Sequence, residues 1–291
     1  MEERRRVVWS LFLVFELLAA TDPARAAGGH SAAPLHPSSH ATTSGIECDG
    51  AFAQGGTVVC RATPGSIVEL DGATTLADGD GFFVLGFDRD APASEVARIW
   101  QPDGRLVEKA FQVEKRSYSV SRIDGLPPSQ VDRYSAEDLA RIEASTMRKE
   151  QGDRSRAELA AFRQRFLLPV VGRRTSGFGA QRILNGIAKR PHYGVDLAAP
   201  AGTPVRSPAE GVISLADDDL YFEGAMVVID HGQGFLSKYL HLSRIDVEAG
   251  QRVQRGEVIG AVGSRGRSTG AHLCWRLKWR DRNLDPELWL E

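Results

Sequence analysis

Short apolar runs broken by Gly, Pro and Asp dominate two stretches of the chain. Between about residues 46 and 116 the runs include Thr57-Val58-Val59-Cys60, Ser66-Ile67-Val68-Glu69-Leu70 and Gly81-Phe82-Phe83-Val84-Leu85. Pro64-Gly65, Asp71-Gly72 and Asp78-Gly79-Asp80-Gly81 punctuate them. This spacing predicts a small all-β, sandwich-like domain over 46–116. The Asp-x-Asp-Gly stretch lacks the further ligands of a calcium loop and reads as a turn. After Pro169 the pattern returns, with strands expected at Gly211–Ala216, Ala225–Asp230, Leu236–His241, Val258–Val262 and His272–Lys278. Residues 169–291 therefore form a second, antiparallel β domain with few helices. Residues 117–168 lie between the two. Leu126-Pro127-Pro128 marks a linker, and Ser135 with Asp138 three residues on opens a helix. That helix, or a helix pair interrupted at Gly152, is expected to run to about Phe166. The fold class is thus mainly β, with a helical connection.

The N-terminus carries a different pattern. Arg4-Arg5-Arg6 precedes an apolar run from Val7 to Ala20, and Ala24-Arg25-Ala26 follows. This is the layout of a secretory signal peptide (1–26), cut after Ala26. The run is shorter than the roughly 20 apolar residues of a membrane span, so no span is expected after cleavage. Residues 27–45 are rich in Ala, Ser, Pro, Thr, Gly and His and read as a disordered leader.

Composition narrows the function classes. The 291 residues carry 36 Lys+Arg against 38 Asp+Glu, a formal charge of −2. Nucleic-acid binding draws on a large basic surface, so no nucleic-acid partner is expected. Export to an oxidising compartment lets Cys48 and Cys60 form a disulfide closing a small loop. Cys274 is then left without a partner. Among the seven histidines, His30, His36 and His40 fall in the leader, and His192, His231, His241 and His272 fall in the last domain.

These last histidines sit in patterned surroundings. His192-Tyr-Gly-Val-Asp196 places an imidazole and a carboxylate, both common zinc ligands, four residues apart. In His272-Leu273-Cys274, strand alternation points His272, Cys274 and Arg276 to one face and Leu273, Trp275 and Leu277 to the other. By the same alternation Tyr239 and His241 share a face. His231, beside Gly232, reads as a structural turn residue.

Together these stretches resemble the lysostaphin/LytM-type zinc metallopeptidases, which cleave peptide cross-links in peptidoglycan. The matching segments are Arg190-Pro-His192-Tyr-Gly-Val-Asp196-Leu-Ala-Ala-Pro200, Ala201-Gly-Thr-Pro-Val205 and Ala209-Glu-Gly211-Val-Ile213. They continue through Tyr239-Leu-His241-Leu-Ser243, Ala249-Gly-Gln-Arg-Val253, Arg255-Gly-Glu-Val-Ile-Gly260 and Thr269-Gly-Ala-His272-Leu-Cys274. The resemblance covers about 169–287. It implies one Zn²⁺ ion on His192, Asp196 and a third ligand, with His241 and His272 as catalytic, non-ligand histidines. Arg182, Asn185 and Tyr239 are candidate substrate contacts.

The resembled family has a histidine as its third ligand, where this chain has Cys274. Zinc accepts thiolate readily. A thiolate and a carboxylate together cancel the ion's charge, however, so bound water is polarised less. The reading is an exported, periplasmic or envelope zinc endopeptidase acting on peptidoglycan. The alternative is a weak or inactive module of the same type that binds peptidoglycan, or that activates another envelope hydrolase or divisome component. A redox role for Cys274 finds no second nearby cysteine.

Overall fold

The computed structural model describes residues 45–125 and 134–291. The signal peptide, nearly all of the leader and Leu126-Pro127-Pro128 lie outside the described residues. The described residues belong to one compact unit.

Eight strands come first: β1 (Glu47–Gly50), β2 (Thr57–Arg61), β3 (Ile67–Leu70), β4 (Ala73–Leu76), β5 (Phe82–Gly86), β6 (Ser94–Trp100), β7 (Leu106–Gln112) and β8 (Val120–Ile123). They build a sheet of order β1-β2-β5 and another of order β4-β3-β6-β7. Strand β6 shows why: Glu95, Ala97 and Ile99 are buried while Ser94, Val96, Arg98 and Trp100 are exposed, the period-two signature of a half-buried strand. Val68, Leu70, Phe83, Leu85, Phe87, Ala97, Ile99 and Phe111 fill the core. Cys48 and Cys60 face each other in the β1–β2 ladder and are disulfide-bonded. In the Asp-x-Asp-Gly segment, Asp78 Oδ1 accepts the backbone N–H groups of Asp80 and Phe82, which makes it a self-capped turn.

The helix α1 (Ala136–Asp153) starts with a full capping box between Ser135 and Asp138. It stops at Asp153, so the expected continuation to Phe166 is corrected. Beyond a 3₁₀ turn at Ala161–Arg163, residues 154–168 run irregularly because Phe162 and Phe166 are wholly buried. Phe162 N–H also donates to the His231 carbonyl at 2.8 Å. Tertiary anchoring overrides the helix-favouring composition here.

The remaining strands are β9 (Arg173–Ser176), β10 (Gln181–Leu184), β11 (Ile187–Ala188), β12 (Val195–Ala198), β13 (Pro204–Arg206), β14 (Gly211–Leu220), β15 (Gly224–Asp230), β16 (Phe235–Leu242), β17 (Arg244–Ile245), β18 (Arg252–Val253), β19 (Val258–Ala261), β20 (Leu273–Trp279) and β21 (Arg282–Leu284). An antiparallel sheet runs β18-β14-β15-β16-β20-β12-β9, with β21 on β20. Strands β15 and β16 are buried along their whole length, so the sheet is covered on both faces. One cover is α1. A Cβ on Gly152 would lie 2.9 Å from Leu215 Cβ, so only glycine permits this approach. Asp153 ties α1 to Lys238 at 2.6 Å and to Lys278 at 3.0 Å.

The N-terminal sheets are welded to this unit. Arg282 meets Glu95 at 3.0 Å with both side chains buried, and it donates to the Leu70 carbonyl at 2.9 Å. Gln233 accepts from Val84 N–H at 3.1 Å and donates to the Leu76 and Phe82 carbonyls. Strand β8, in the stretch expected to be linker, pairs in parallel with β10.

Candidate metal centre

Strands β12 and β20 set the geometry. Their register places Asp196 directly opposite Cys274, and directly opposed residues share a sheet face. His192 lies just ahead of β12 and is pinned by its backbone. Its N–H donates to the Ala180 carbonyl, and its carbonyl accepts from Gly179, both at 2.8 Å. Its Nε2 lies 3.1 Å from Asp196 Oδ1 and 3.3 Å from Cys274 Sγ. The three candidate ligand atoms all fall within 4.8 Å of one another, and the three residues are buried.

A tetrahedral zinc ion with bonds of about 2.0–2.3 Å has ligand–ligand edges of roughly 3.3–3.7 Å. The observed separations are already close to those edges. Asp196 Oδ1 is buried and forms no well-aligned hydrogen bond; its nearest polar neighbour is the His192 ring at 3.1 Å. Imidazole, carboxylate and sulfur are all zinc donors. The residues present therefore fit the ion.

The charges agree with this clustering. Burial pushes His192 down, but contact with Asp196 and Cys274 outweighs it and raises the group to about 9. Burial raises Asp196, but contact with His192 and the charge of His272 leave it below the usual carboxylate range. The other ring nitrogen of His192 lies 3.2 Å from Ser176 Oγ, which fixes the ring plane.

His241 and His272 stand beside this cluster with ring centroids 4.9 Å apart. His241 Nδ1 is 2.8 Å from the Arg265 carbonyl, and His272 Nδ1 is 2.8 Å from the Gly270 carbonyl. A carbonyl only accepts, so in each neutral ring Nδ1 carries the hydrogen and Nε2 keeps its lone pair. His272 Nε2 is 3.8 Å from Asp196 Oδ1. Burial lowers His241 to about 4, so it is neutral at physiological pH.

His241 reaches the cluster by a backbone irregularity. It has φ 65°, a left-handed value uncommon for a non-glycine residue. It falls where the β15–β16 register shifts between Ala225 and Val227, so β16 carries an extra residue there. This breaks the alternation that was to align Tyr239 with His241. Tyr239 pairs with Trp275, on the face opposite Cys274. It is fully buried, and its hydroxyl lies 2.7 Å from Ser237 Oγ. Its expected substrate contact is therefore corrected to a packing role.

Arg182 on β10 reaches toward the cluster, with Nη2 3.8 Å from Asp196 Oδ2. Asn185, φ 47°, and Gly186 form the tight turn between β10 and β11, the Asn-Gly hairpin signature. The residue that sequence reasoning passed over is Arg276. Alternation placed it beside Cys274, but it received no role.

His231 is wholly buried. Nδ1 donates to the Glu210 carbonyl at 2.7 Å, and Nε2 is 2.7 Å from Ser237 Oγ. Burial lowers it from 6.5 to about 4. The unfolded chain takes up this proton below pH 6.5, and the folded chain only near pH 4. Its contribution to stability is therefore complete above about pH 6.5 and is lost as pH falls through about 4. The difference corresponds to about 3 kcal/mol. Urea unfolding at pH 7 and pH 4.5 is expected to show the parent losing about 2 kcal/mol more stability than His231→Asn. Equal losses would contradict this.

Sheet topology, ligand cluster and flanking histidines define a LytM-type antiparallel β fold around a candidate metal centre. The model of peptidase family M23 matches residues 190–286. A crystal structure described as a candidate M23 peptidase from Pseudomonas aeruginosa is 30% identical, with a TM-score of 0.66, covering 82% of this chain and 95% of that one. The chain belongs to peptidase family M23. Among curated relatives, the peptidoglycan DD-endopeptidase ShyA of Vibrio cholerae is 42% identical over 124 residues, 42% of this chain and 28% of ShyA. The DD-carboxypeptidase/endopeptidase Mpg of Neisseria meningitidis is 44% identical over 97 residues, 33% of this chain and 22% of Mpg. The chain thus spans under a third of these relatives' length.

Proposed function

We propose that this chain is an exported, zinc-dependent endopeptidase that hydrolyses cross-link or stem-peptide amide bonds of peptidoglycan. The observation that carries the reading is the convergence of His192, Asp196 and Cys274 on one point, with two histidines beside it whose Nδ1 atoms are taken up by backbone carbonyls, leaving Nε2 of each available. These three residues would hold one ion. Zinc bound there would supply a Lewis acid for the scissile carbonyl and lower the pKa of a water molecule. His241 and His272 share the proton work. One Nε2 accepts the proton of the attacking water and hands it to the amine nitrogen as the C–N bond breaks, while the other ring takes up a proton from solvent at Nε2 and donates it in a hydrogen bond to the developing oxyanion. Their carbonyl anchors fix both rings, so little reorganisation accompanies proton transfer. Arg182 extends a guanidinium toward this point and suits a carboxylate of a stem peptide. Asn185 shapes the hairpin that presents Arg182.

The names of the M23 relatives support peptidoglycan as substrate. The Cys48–Cys60 disulfide supports an oxidising compartment, the periplasm or cell envelope, with residues 1–26 as the export signal. No described helix is long and apolar enough to cross a membrane. Residues 169–291 serve as the peptidase domain, and 46–116 as an accessory module fixed against it by Arg282 and Gln233. The second reading is a non-hydrolytic wall-binding or hydrolase-activating module; the neutral ligand set favours it.

The test is digestion of purified sacculi, with released muropeptides read by mass. Release is expected with zinc, none with a chelator, and recovery on adding zinc back. A protein that carries zinc yet releases nothing would contradict the enzyme reading and support the second.

A further inference from the structure

Resting on the metal-centre reading, we propose that Arg276 is a positioning residue of that centre: its guanidinium is the counter-charge of the Cys274 sulfur and holds it toward the point shared with His192 and Asp196. Three observations place it there. In β20, residues i and i+2 share a face, so Arg276 follows Cys274 on the cluster's side of the sheet. Its stem crosses the ligand loop. A Cβ on Gly194 would lie 2.6 Å from Arg276 Cγ and 2.7 Å from the Trp275 carbonyl oxygen. Gly194 is midway between His192 and Asp196, so this glycine makes room for the arginine. Finally, Arg276 Nε is buried without a hydrogen-bond partner, and so is Glu223 Oε2.

The surrounding charges account for the arrangement. The Cys274 sulfur first, then the Glu223 and Asp196 carboxylates, are the opposing partners around the buried Arg276 guanidinium. The other cations of this face have their own partner. Arg276 pairs across the ladder with Lys238, and Asp153 engages both Lys238 and Lys278. Glu223 is fixed in turn. Its Oε1 meets Lys149 of α1 at 2.7 Å, and its carbonyl accepts His241 N–H at 2.9 Å. A sulfur ligand makes the donor set electrically neutral against the ion. An adjacent guanidinium restores positive potential and draws density from the sulfur, the usual effect of outer partners on a metal site. A histidine in place of Cys274 would have no use for this cation.

The test is a double-mutant cycle on the full chain, crossing Arg276→Met with Cys274→His. Zinc affinity is measured by chelator competition, and the sulfur-to-metal charge-transfer band of the Co²⁺-loaded protein is recorded. Arg276→Met is expected to weaken zinc binding about 10–100-fold in the Cys274 parent, to shift the band, and to change little beside Cys274→His. Arg276→Lys is expected to restore most of the affinity. Should the Met variant not fold, Arg276→Gln replaces it with the same expectation. Equal losses in both backgrounds, or an unmoved band, would overturn the assignment and leave Arg276 a packing residue. A parent that binds neither zinc nor cobalt would overturn the metal-centre reading itself.

Discussion

Cys274→Ala is expected to lose roughly 10²–10³-fold in zinc affinity, and hydrolysis of sacculi with it, whereas Cys274→His keeps the ion. The sulfur contributes one of three protein donors. Structural zinc sites bind with about 10–16 kcal/mol over four ligands, so one donor is worth roughly 3–4 kcal/mol, the fold-change just given. The fold itself should survive. Cys274 is a small residue in a cluster with Met226, Val228, Leu236 and Leu240, and losing one buried heavy atom there costs about 1 kcal/mol. Imidazole in its place remains a donor and returns one unit of positive charge to the centre, which favours acidification of water. Competition titration with a chromophoric chelator measures all three proteins. Alanine binding zinc as tightly as the parent would remove Cys274 from the ligand set.

The second large effect is on catalysis without loss of metal. His272→Ala and His241→Asn are each expected to lower muropeptide release about 10²–10⁴-fold, with zinc affinity close to the parent's. Both rings spend Nδ1 on backbone carbonyls, and neither contributes to the three-atom ligand cluster. Asparagine is chosen at 241 because it tolerates the left-handed backbone there. Steady-state release and zinc titration on the same preparations separate the two effects. A variant that loses zinc as Cys274→Ala does would turn out to be missing a ligand rather than a base.

Much of this arrangement was legible in the sequence because it depends on local rules. Turn residues bounded the strands, alternation put Cys274 on the face away from Leu273 and Trp275, and the spacing from His192 to Asp196 was available directly. What escaped was decided by contacts remote in sequence. The left-handed residue that reorients His241 is a histidine, with no glycine or asparagine to announce it, so alternation carried Tyr239 to the wrong side. The Ala-, Glu- and Arg-rich stretch after Gly152 favours helix, yet burial of Phe162 and Phe166 draws it out irregularly. The parallel pairing of β8 with β10 joins segments about 60 residues apart, and nothing local in either segment encodes it. Asn185 was weighed as a ligand contact, while its more economical reading, the Asn-Gly hairpin turn, was already present in the next residue.

The most direct measurement is X-ray absorption at the zinc edge on the metal-loaded protein. One sulfur at about 2.3 Å, together with nitrogen and oxygen donors at about 2.0–2.2 Å, is the predicted coordination. A spectrum containing only nitrogen and oxygen donors would contradict it.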